Sequence, residues 1–231
     1  MRAFPYLPRC GRVLALAVVL GVVTAACEER GQHRADTPAV SACEHPFVPS
    51  RPGARLEYRW SSRDDEGTAT LELLRVREQR GSATALWAVR SSSPAPSVVE
   101  LERACDGRGV EEPWVGLGGG RGIELSGQTW RLPRDLAPGT QFGGTIDASI
   151  MAFAVTLERS HRVLEHEVVE VGGAAYDTLR VQIEERTVAA AEPAMSTAWI
   201  ARDVGLVRFE ARGPDGARST LELASARVAG L

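Results

Sequence analysis

The stretch Leu179-Arg180-Val181-Gln182-Ile183-Glu184 places an apolar side chain at every second position. Successive side chains of a β-strand point to opposite faces, so this pattern predicts a strand with one apolar and one polar face. The same two-residue period recurs in other short stretches. These are 56–60, 71–73, 207–211 and 221–223, and residues 86–89 form a further compact strand signal. The chain is therefore predicted to be mostly β.

Clusters rich in glycine, proline or aspartate separate these stretches, at 64–67, 79–81, 137–139, 172–173 and 213–216. Short alternating strands with turn signals between them are typical of an antiparallel sheet. The last cluster predicts a hairpin that joins Val207–Arg212 to Ala217–Ala224. Leu74 and Val76 continue the apolar pattern of β-strand 71–73 on the opposite parity, which predicts a β-bulge.

We expect a single antiparallel, strongly curved sheet, half-barrel or sandwich-like, with at most one or two short helices. Residues 146–153 have mixed periodicity, and a helix there is the alternative to two strands. The alanine-rich residues 187–194 form a loop or a short helix in the same prediction.

The composition suits one globular domain with a small appendage, because 44% of the 231 residues are hydrophobic and 25% are charged. All 27 basic residues are arginine, which excludes every mechanism that needs a lysine amine. The net charge of −3 argues against a general nucleic-acid binder.

The N-terminus has the order of a signal peptide. Arg2, Arg9 and Arg12 precede the uncharged run Val13–Ala26. As a helix that run would span about 21 Å, which is short of the roughly 30 Å hydrocarbon core of a bilayer. The run therefore predicts a signal peptide rather than a permanent membrane span.

Val23-Thr24-Ala25-Ala26-Cys27 resembles the lipobox of bacterial lipoproteins. The resemblance implies cleavage before Cys27 and lipidation of Cys27, which would anchor the protein in a membrane. A plain secretory signal with Cys27 incidental, or a retained membrane helix, are the alternatives. The predicted organisation is a signal peptide at 1–26, a lipidated N-terminus and flexible tether at 27–42, and a β-rich globular domain at 43–231.

Loss of residues 1–26 removes three arginines and no acid, so the mature chain holds 24 arginines against 30 acids, a net charge of −6. Membrane attachment would then rest on lipid rather than on a basic patch. Glu28 follows Cys27 in place of the aspartate that retains many enterobacterial lipoproteins at the inner membrane. By that analogy we expect the outer membrane, facing the periplasm.

Two cysteines, Cys43 and Cys105, remain after the signal peptide leaves with Cys10 and Cys27 takes lipid. An even number in an oxidising compartment predicts a Cys43–Cys105 disulfide. Two unrelated buried thiols are the alternative. Cys105 shares one strand face with Val99, Leu101 and Arg103 in the pattern Val99-x-Leu101-x-Arg103-x-Cys105.

No catalytic, metal-binding or cofactor-binding residues are predicted. The glycine run 116–122 lacks the register of a phosphate-binding loop. His161 and His166 are five residues apart, which places them on opposite faces of a strand and favours solvated surface histidines. Adjacent carboxylates such as Glu184-Glu185 diverge on a strand. Trp114, beside the glycine run, is a candidate for a pocket mouth.

Several phrases of the sequence are similar, in the same order, to motifs of a family of uncharacterised bacterial lipoproteins and secreted β proteins. The resemblance implies a curved antiparallel sheet like the half-barrel of periplasmic lipoprotein carriers, and it brings no catalytic residue. The phrases are Phe47–Tyr58, Cys105–Gly109, Leu132–Thr140, Glu167–Val181 and Trp199–Arg208.

Three functions follow as hypotheses. The first is a non-enzymatic, membrane-anchored lipoprotein of the cell envelope that binds a lipid or another apolar ligand in its curved sheet. The second is a structural or assembly partner of an envelope complex, with a filled core and no ligand. The third, a hydrolase, is disfavoured because the sequence shows no nucleophile–base pair.

Overall fold

The computed structural model describes residues 43–49, 51–63, 65–92, 97–111, 124–127, 130–150, 153–187, 192–212 and 216–228. Cys27, the tether, Trp114, the glycine run 116–122 and residues 188–191 lie outside these ranges. Among the described residues, no helix is long and apolar enough to cross a membrane.

The described residues contain thirteen β-strands and no helix. In chain order they are β1 Arg55–Ser61, β2 Glu66–Gln79, β3 Ser82–Ser91, β4 Ser97–Asp106, β5 Gly109–Glu111, β6 Glu124–Gly127, β7 Arg131–Pro133, β8 Gln141–Ile150, β9 Phe153–Val171, β10 Ala174–Thr187, β11 Ala194–Ala201, β12 Gly205–Arg212 and β13 Arg218–Arg227.

All thirteen strands join one antiparallel sheet in the order β6-β8-β9-β10-β11-β12-β13-β1-β2-β3-β4-β5-β7. The sheet curls until it nearly closes into a barrel. At the seam, Trp130, which precedes the edge strand β7, donates from Nε1 to the carbonyl oxygen of Gly144 on β8 at 2.7 Å. The predicted fold class, a single strongly curved antiparallel sheet, is confirmed.

Local features of the prediction are also confirmed. The register between β2 and β3 shifts between Leu73 and Arg75, where the parity change predicts a bulge. Residues 141–150 and 153–171 form two paired strands instead of the alternative helix. The hairpin β12–β13 pairs Arg212 with Arg218. Gly81, Gly139 and Gly216 lie in the left-handed region at the turns that the glycine clusters predict.

The N-terminal segment of residues 43–49, here called the strap, crosses one end of the barrel. Cys43 forms a disulfide with Cys105 at the end of β4. At the opposite side, the Asp203 amide in the β11–β12 turn donates to the Pro46 carbonyl at 2.6 Å. Because β4 and β11 are six places apart in the sheet order, these two ties draw the strap across the barrel.

Outside the barrel, charged side chains cross-link strands β9 to β13. The guanidinium nitrogens of Arg180 lie 2.7 Å from a carboxylate oxygen of Glu165 and 3.7 Å from one of Glu167. The indole Nε1 of Trp199 donates to the carboxylate of Glu167 at 2.9 Å. Arg208 then pairs with Glu210 and with Glu222. Exposed ion pairs of this kind contribute little stability each, so the ladder mainly favours the correct strand register.

The disulfide is expected to contribute strongly to stability, because it closes a chain separation of 62 residues. In the chain-entropy account a loop of that length is worth about 4 kcal/mol. The double variant Cys43→Ala/Cys105→Ala should lower the free energy of unfolding in urea by about that amount. Reductant should weaken the wild-type protein and leave the variant unchanged. Equal unfolding midpoints for variant and wild type would contradict this prediction.

Candidate binding surface inside the barrel

Strand register assigns one set of side chains to the inside of the barrel. Leu56 of β1 pairs with Leu71 of β2, and Tyr58 pairs with Leu223 of β13. Near the strap these inward side chains are fully buried, and Leu56, Leu73 and Leu223 are at most 2% exposed. The strap end of the interior is therefore a packed core.

Farther from the strap, the inward apolar side chains are only half-buried. Each of six neighbouring strands contributes one, and we call the set the inner apolar band. Its members are Phe209, Leu221, Trp60, Leu71, Val89 and Leu101, on β12, β13, β1, β2, β3 and β4. Phe209, Leu221 and Trp60 follow one another in the register, and Leu71 is paired with Val89, so the inner face of these strands offers partly accessible apolar side chains of the kind that contact apolar ligands.

Trp60 is the largest member of this band, and Gly67 makes room for it. A Cβ at Gly67 would lie 2.9 Å from Trp60 Nε1 and 3.0 Å from two ring carbons. The indole of β1 therefore lies directly against the backbone of β2. Glycine at this paired position serves close packing, not turn formation, although the sequence pattern assigns it to a turn.

The opposite side of the interior, along β8 to β10, is closed by stacked rings. Phe142 and His161 stack with centroids 4.4 Å apart and an interplanar angle of 3°. Trp130 is fully buried beside them, and the Arg159 guanidinium lies 4.0 Å from its ring centroid. Arg159 in turn pairs with Glu185 at 2.5 Å. Phe142 is itself half-buried, so half-buried inward side chains occur on this side as well as along β12 to β4.

His161 corrects the sequence-based interpretation. The sequence pattern predicts both His161 and His166 on the surface. His166 is exposed, but His161 is 3% exposed inside the barrel. The odd spacing does not separate the two histidines by face, because a register shift between Arg180 and Val181 pairs His166 with Leu179 and His161 with Ile183, which share one face of β10. The pairing of His161 with Ile183 and Phe142 places it on the inward face.

Tyr58 makes a hydrogen bond inside the barrel. The Tyr58 hydroxyl donates to the carbonyl oxygen of Leu206 at 3.0 Å. Burial raises the pKa of Tyr58 above its ordinary value, and the positive charge of Arg103 acts in the opposite direction. The phenol therefore stays neutral and ties β1 to the start of β12.

Arg103 is a charged residue at an inward position. Its cross-strand partner is the buried Ala85, and its sequence neighbours on the same face are Leu101 and Cys105. The guanidinium carbon lies 5.2 Å from the ring centroid of Trp87. The sequence pattern already places Arg103 on the face of Leu101, but its charge gives no reason to expect that face inside a barrel.

His45 fastens the strap at the closed end. Its Nδ1 accepts from the Phe47 amide at 3.1 Å, and its Nε2 lies 2.9 Å from the carbonyl oxygen of Pro133. The neutral tautomer with a proton on Nε2 satisfies both bonds. Burial lowers the pKa of His45 below 6.5 and outweighs the opposing hydrogen bond to Pro133.

A second concavity lies over β8 to β10 and has a different character. It is a groove of about 550 Å³ lined largely by polar side chains, among them Gln141, Thr145, Ser160 and Gln182, with Glu158 and Glu184 at its sides. Phe142 and Met195 are the large apolar residues of this lining. Among the described residues, no group of three or more His, Cys, Asp or Glu side chains could hold a metal ion.

The fold resembles two solved structures. One is a putative lipoprotein from Parabacteroides distasonis ATCC 8503, with a TM-score of 0.62 and 13% identity, covering 80% of this chain and 99% of that one. The other is a putative exported protein with YmcC-like fold from Bacteroides fragilis NCTC 9343, with a TM-score of 0.63 and 13% identity. The match covers 79% of this chain and 99% of that one. At this identity the likeness establishes the fold. No protein-family model and no curated protein matches the sequence.

Acid is expected to loosen the strap. Above about pH 6.5 His45 is neutral in both states, and its contribution to stability is complete. Below that pH the unfolded chain takes up the proton more readily than the folded one, so stability falls as the pH drops toward the lowered folded-state pKa.

Urea unfolding between pH 5 and pH 8 tests this expectation. His45→Gln should flatten the decline below pH 6.5, whereas the exposed control His166→Gln should keep the wild-type slope. Parallel curves for His45→Gln and the wild type would show that another group causes the acid sensitivity.

Proposed function

We propose that this protein is a lipid-anchored protein of the bacterial cell envelope that binds an acyl chain inside its barrel and catalyses no reaction. The observation that carries the proposal is the inner apolar band, whose six side chains are only half-buried although they face the interior. An acyl chain laid along the band would remove this apolar surface from water, at roughly 25 cal/mol per Å².

The asymmetry of the interior supports the same proposal. The strap and its disulfide close one end, and the stacked rings of Phe142, His161 and Trp130 fill the β8–β10 side. A filled interior would bury the β12–β4 side equally. Half-buried apolar side chains instead recur on six adjacent strands, β12 to β4, as a binding surface requires.

The envelope location and the anchor belong to the proposal as well. The lipobox-like residues 23–27 support lipidation at Cys27, and Glu28 supports retention at the outer membrane, facing the periplasm. The two proteins that share the fold are described as a putative lipoprotein and a putative exported protein.

Native mass spectrometry of the mature protein, extracted gently from its own membranes, tests the proposal. We expect a covalent lipid increment at Cys27 and a further non-covalent mass that leaves on activation. The covalent increment should disappear in Cys27→Ser. A spectrum with the covalent increment alone would contradict ligand binding and favour the assembly role, in which the protein acts through a partner.

Two substitutions on β4 locate the bound mass. Leu101→Trp places a larger side chain in the inner apolar band and should abolish the non-covalent mass. Val98→Trp, on the same strand at a position that is 64% exposed, should retain it. Thermal unfolding of both variants checks that each is folded. Retention of the ligand by a folded Leu101→Trp variant would place the site elsewhere.

A further inference from the structure

The polar groove over β8 to β10 lies on the outer face of the barrel. Gln182 and Glu184 of β10 line it, whereas Ile183 between them is buried and does not. Because successive side chains of a strand point to opposite faces, the groove and the barrel interior are on different sides of the sheet. Its volume of about 550 Å³ lies within the range of small-molecule sites. The groove is therefore a second candidate binding site, separate from the inner apolar band.

Strand pairing gives this groove a low floor. Gly143 of β8 pairs with Ser160 of β9, which pairs in turn with Glu184 of β10. Gly143 has to lack a side chain, because a Cβ there would overlap the carbonyl oxygen of Arg159 on the adjacent strand. A glycine and a serine that are neighbours in the sheet thus leave a gap in the outer surface, and the packing of the two backbones fixes that gap.

Longer polar side chains border the floor on both sides. The row on one side is paired across β8, β9 and β10 and consists of Gln141, Arg162 and Gln182. On the other side, Thr145 of β8 pairs with Glu158 of β9. The two rows are four residues apart along the strands, which is roughly 14 Å at about 3.4 Å per residue. The groove therefore crosses the strands, and Met195 of β11, which pairs with Glu184, lies at its end.

The side chains of both rows are available to a ligand. Among the described residues, Gln141, Arg162 and Gln182 make no side-chain hydrogen bond or ion pair, and neither do Thr145 and Glu158. Charged side chains farther along the same face are instead paired in the ladder of β9 to β13. A ligand in the groove would therefore gain hydrogen bonds without breaking any that the protein makes for itself.

The chemistry of the two rows matches an uncharged ligand rich in hydroxyl groups. Glutamine and threonine side chains offer both donors and acceptors, and a hydroxyl group is likewise both. The charges balance, because Glu158 stands across the groove from Arg162 and Glu184 is paired with Arg186. A groove without excess charge does not select an ion. The exposed thioether of Met195 adds an apolar contact for the C–H face of a sugar ring.

An added peptide strand matches the groove less well. A peptide that binds as a strand needs the free main-chain groups of a sheet edge. The middle of the groove is formed by β9 and β10, and each of these has a hydrogen-bonded strand on both sides. Recognition must therefore come from side chains.

We propose that this groove binds a short segment of a neutral oligosaccharide. Gln141, Arg162 and Gln182 on one side, and Thr145 and Glu158 on the other, supply its hydrogen bonds. This function is separate from acyl-chain binding inside the barrel, and neither requires the other.

NMR titration of the ¹⁵N-labelled mature chain carrying Cys27→Ser tests the proposal. The probes are maltotetraose, cellotetraose and chitotetraose, with sorbitol as an acyclic hydroxyl-rich control and the peptide Gly-Ser-Gly-Ser as an uncharged peptide control. We expect saturable shifts of the β8–β10 amides with at least one oligosaccharide, at a Kd of ~1 mM or tighter. Neither control ligand should give saturable shifts.

Variants assign the binding to the groove. Gln182→Leu should weaken the bound oligosaccharide about fivefold, as loss of one neutral hydrogen bond gives, and Arg162→Met should weaken it about tenfold or more. Ser160→Leu fills the floor and should abolish binding. Gln79→Leu is the matched control, because Gln79 is exposed on β2 and does not line the groove. Thermal unfolding checks that each variant is folded.

The outcomes also separate this inference from the proposed function. Leu101→Trp, which blocks the inner apolar band, should bind the oligosaccharide as the wild type does, and Ser160→Leu should keep the non-covalent acyl mass. Absence of saturable shifts with all of the oligosaccharides, or unchanged binding by a folded Ser160→Leu variant, would overturn the proposal. Saturable shifts with the peptide alone would assign the groove to a peptide instead.

Discussion

The rest of the structure depends on the covalent tie between Cys43 and Cys105. A curved sheet of this width, left to itself, has two open ends and little to prevent it from flattening. The disulfide places the strap at one end, where His45 and the Pro46 carbonyl connect β7 to the β11–β12 turn. The packed core then forms beneath the strap, and the solvent-accessible part of the interior is confined to the region farther from it.

The two sides of the barrel interior differ in how their side chains pack. Along β8 to β10, rings and the Arg159–Glu185 pair fill the space in a fixed arrangement. Along β12 to β4, the side chains of the inner apolar band are only half-buried. In the proposed function, a chain bound along the band would lie opposite the filled side.

Arg103 and His161 show why the sequence alone does not predict the inward-facing surface. The two-residue period correctly separates Leu101 and Arg103 from Val98, yet it cannot tell that the face with an arginine lies inside. His161 presents the same difficulty, since a histidine flanked by serine and arginine reads as a surface residue. In both cases a polar side chain is held inside by aromatic neighbours from other strands, Trp87 for Arg103 and Phe142 for His161.

The sequence by itself determined the β class, the bulge after Leu73, the turns at the glycine clusters and the pairing of the two cysteines left in the domain. The β class and the bulge follow from the alternation of apolar and polar residues, the turns from the backbone freedom of glycine, and the disulfide from the number of cysteines. All of these are local or compositional properties. Only the tertiary structure decided that the sheet nearly closes, which face is inward and which inward residues stay accessible. Those properties depend on contacts between strands far apart in the chain, and no local pattern records them.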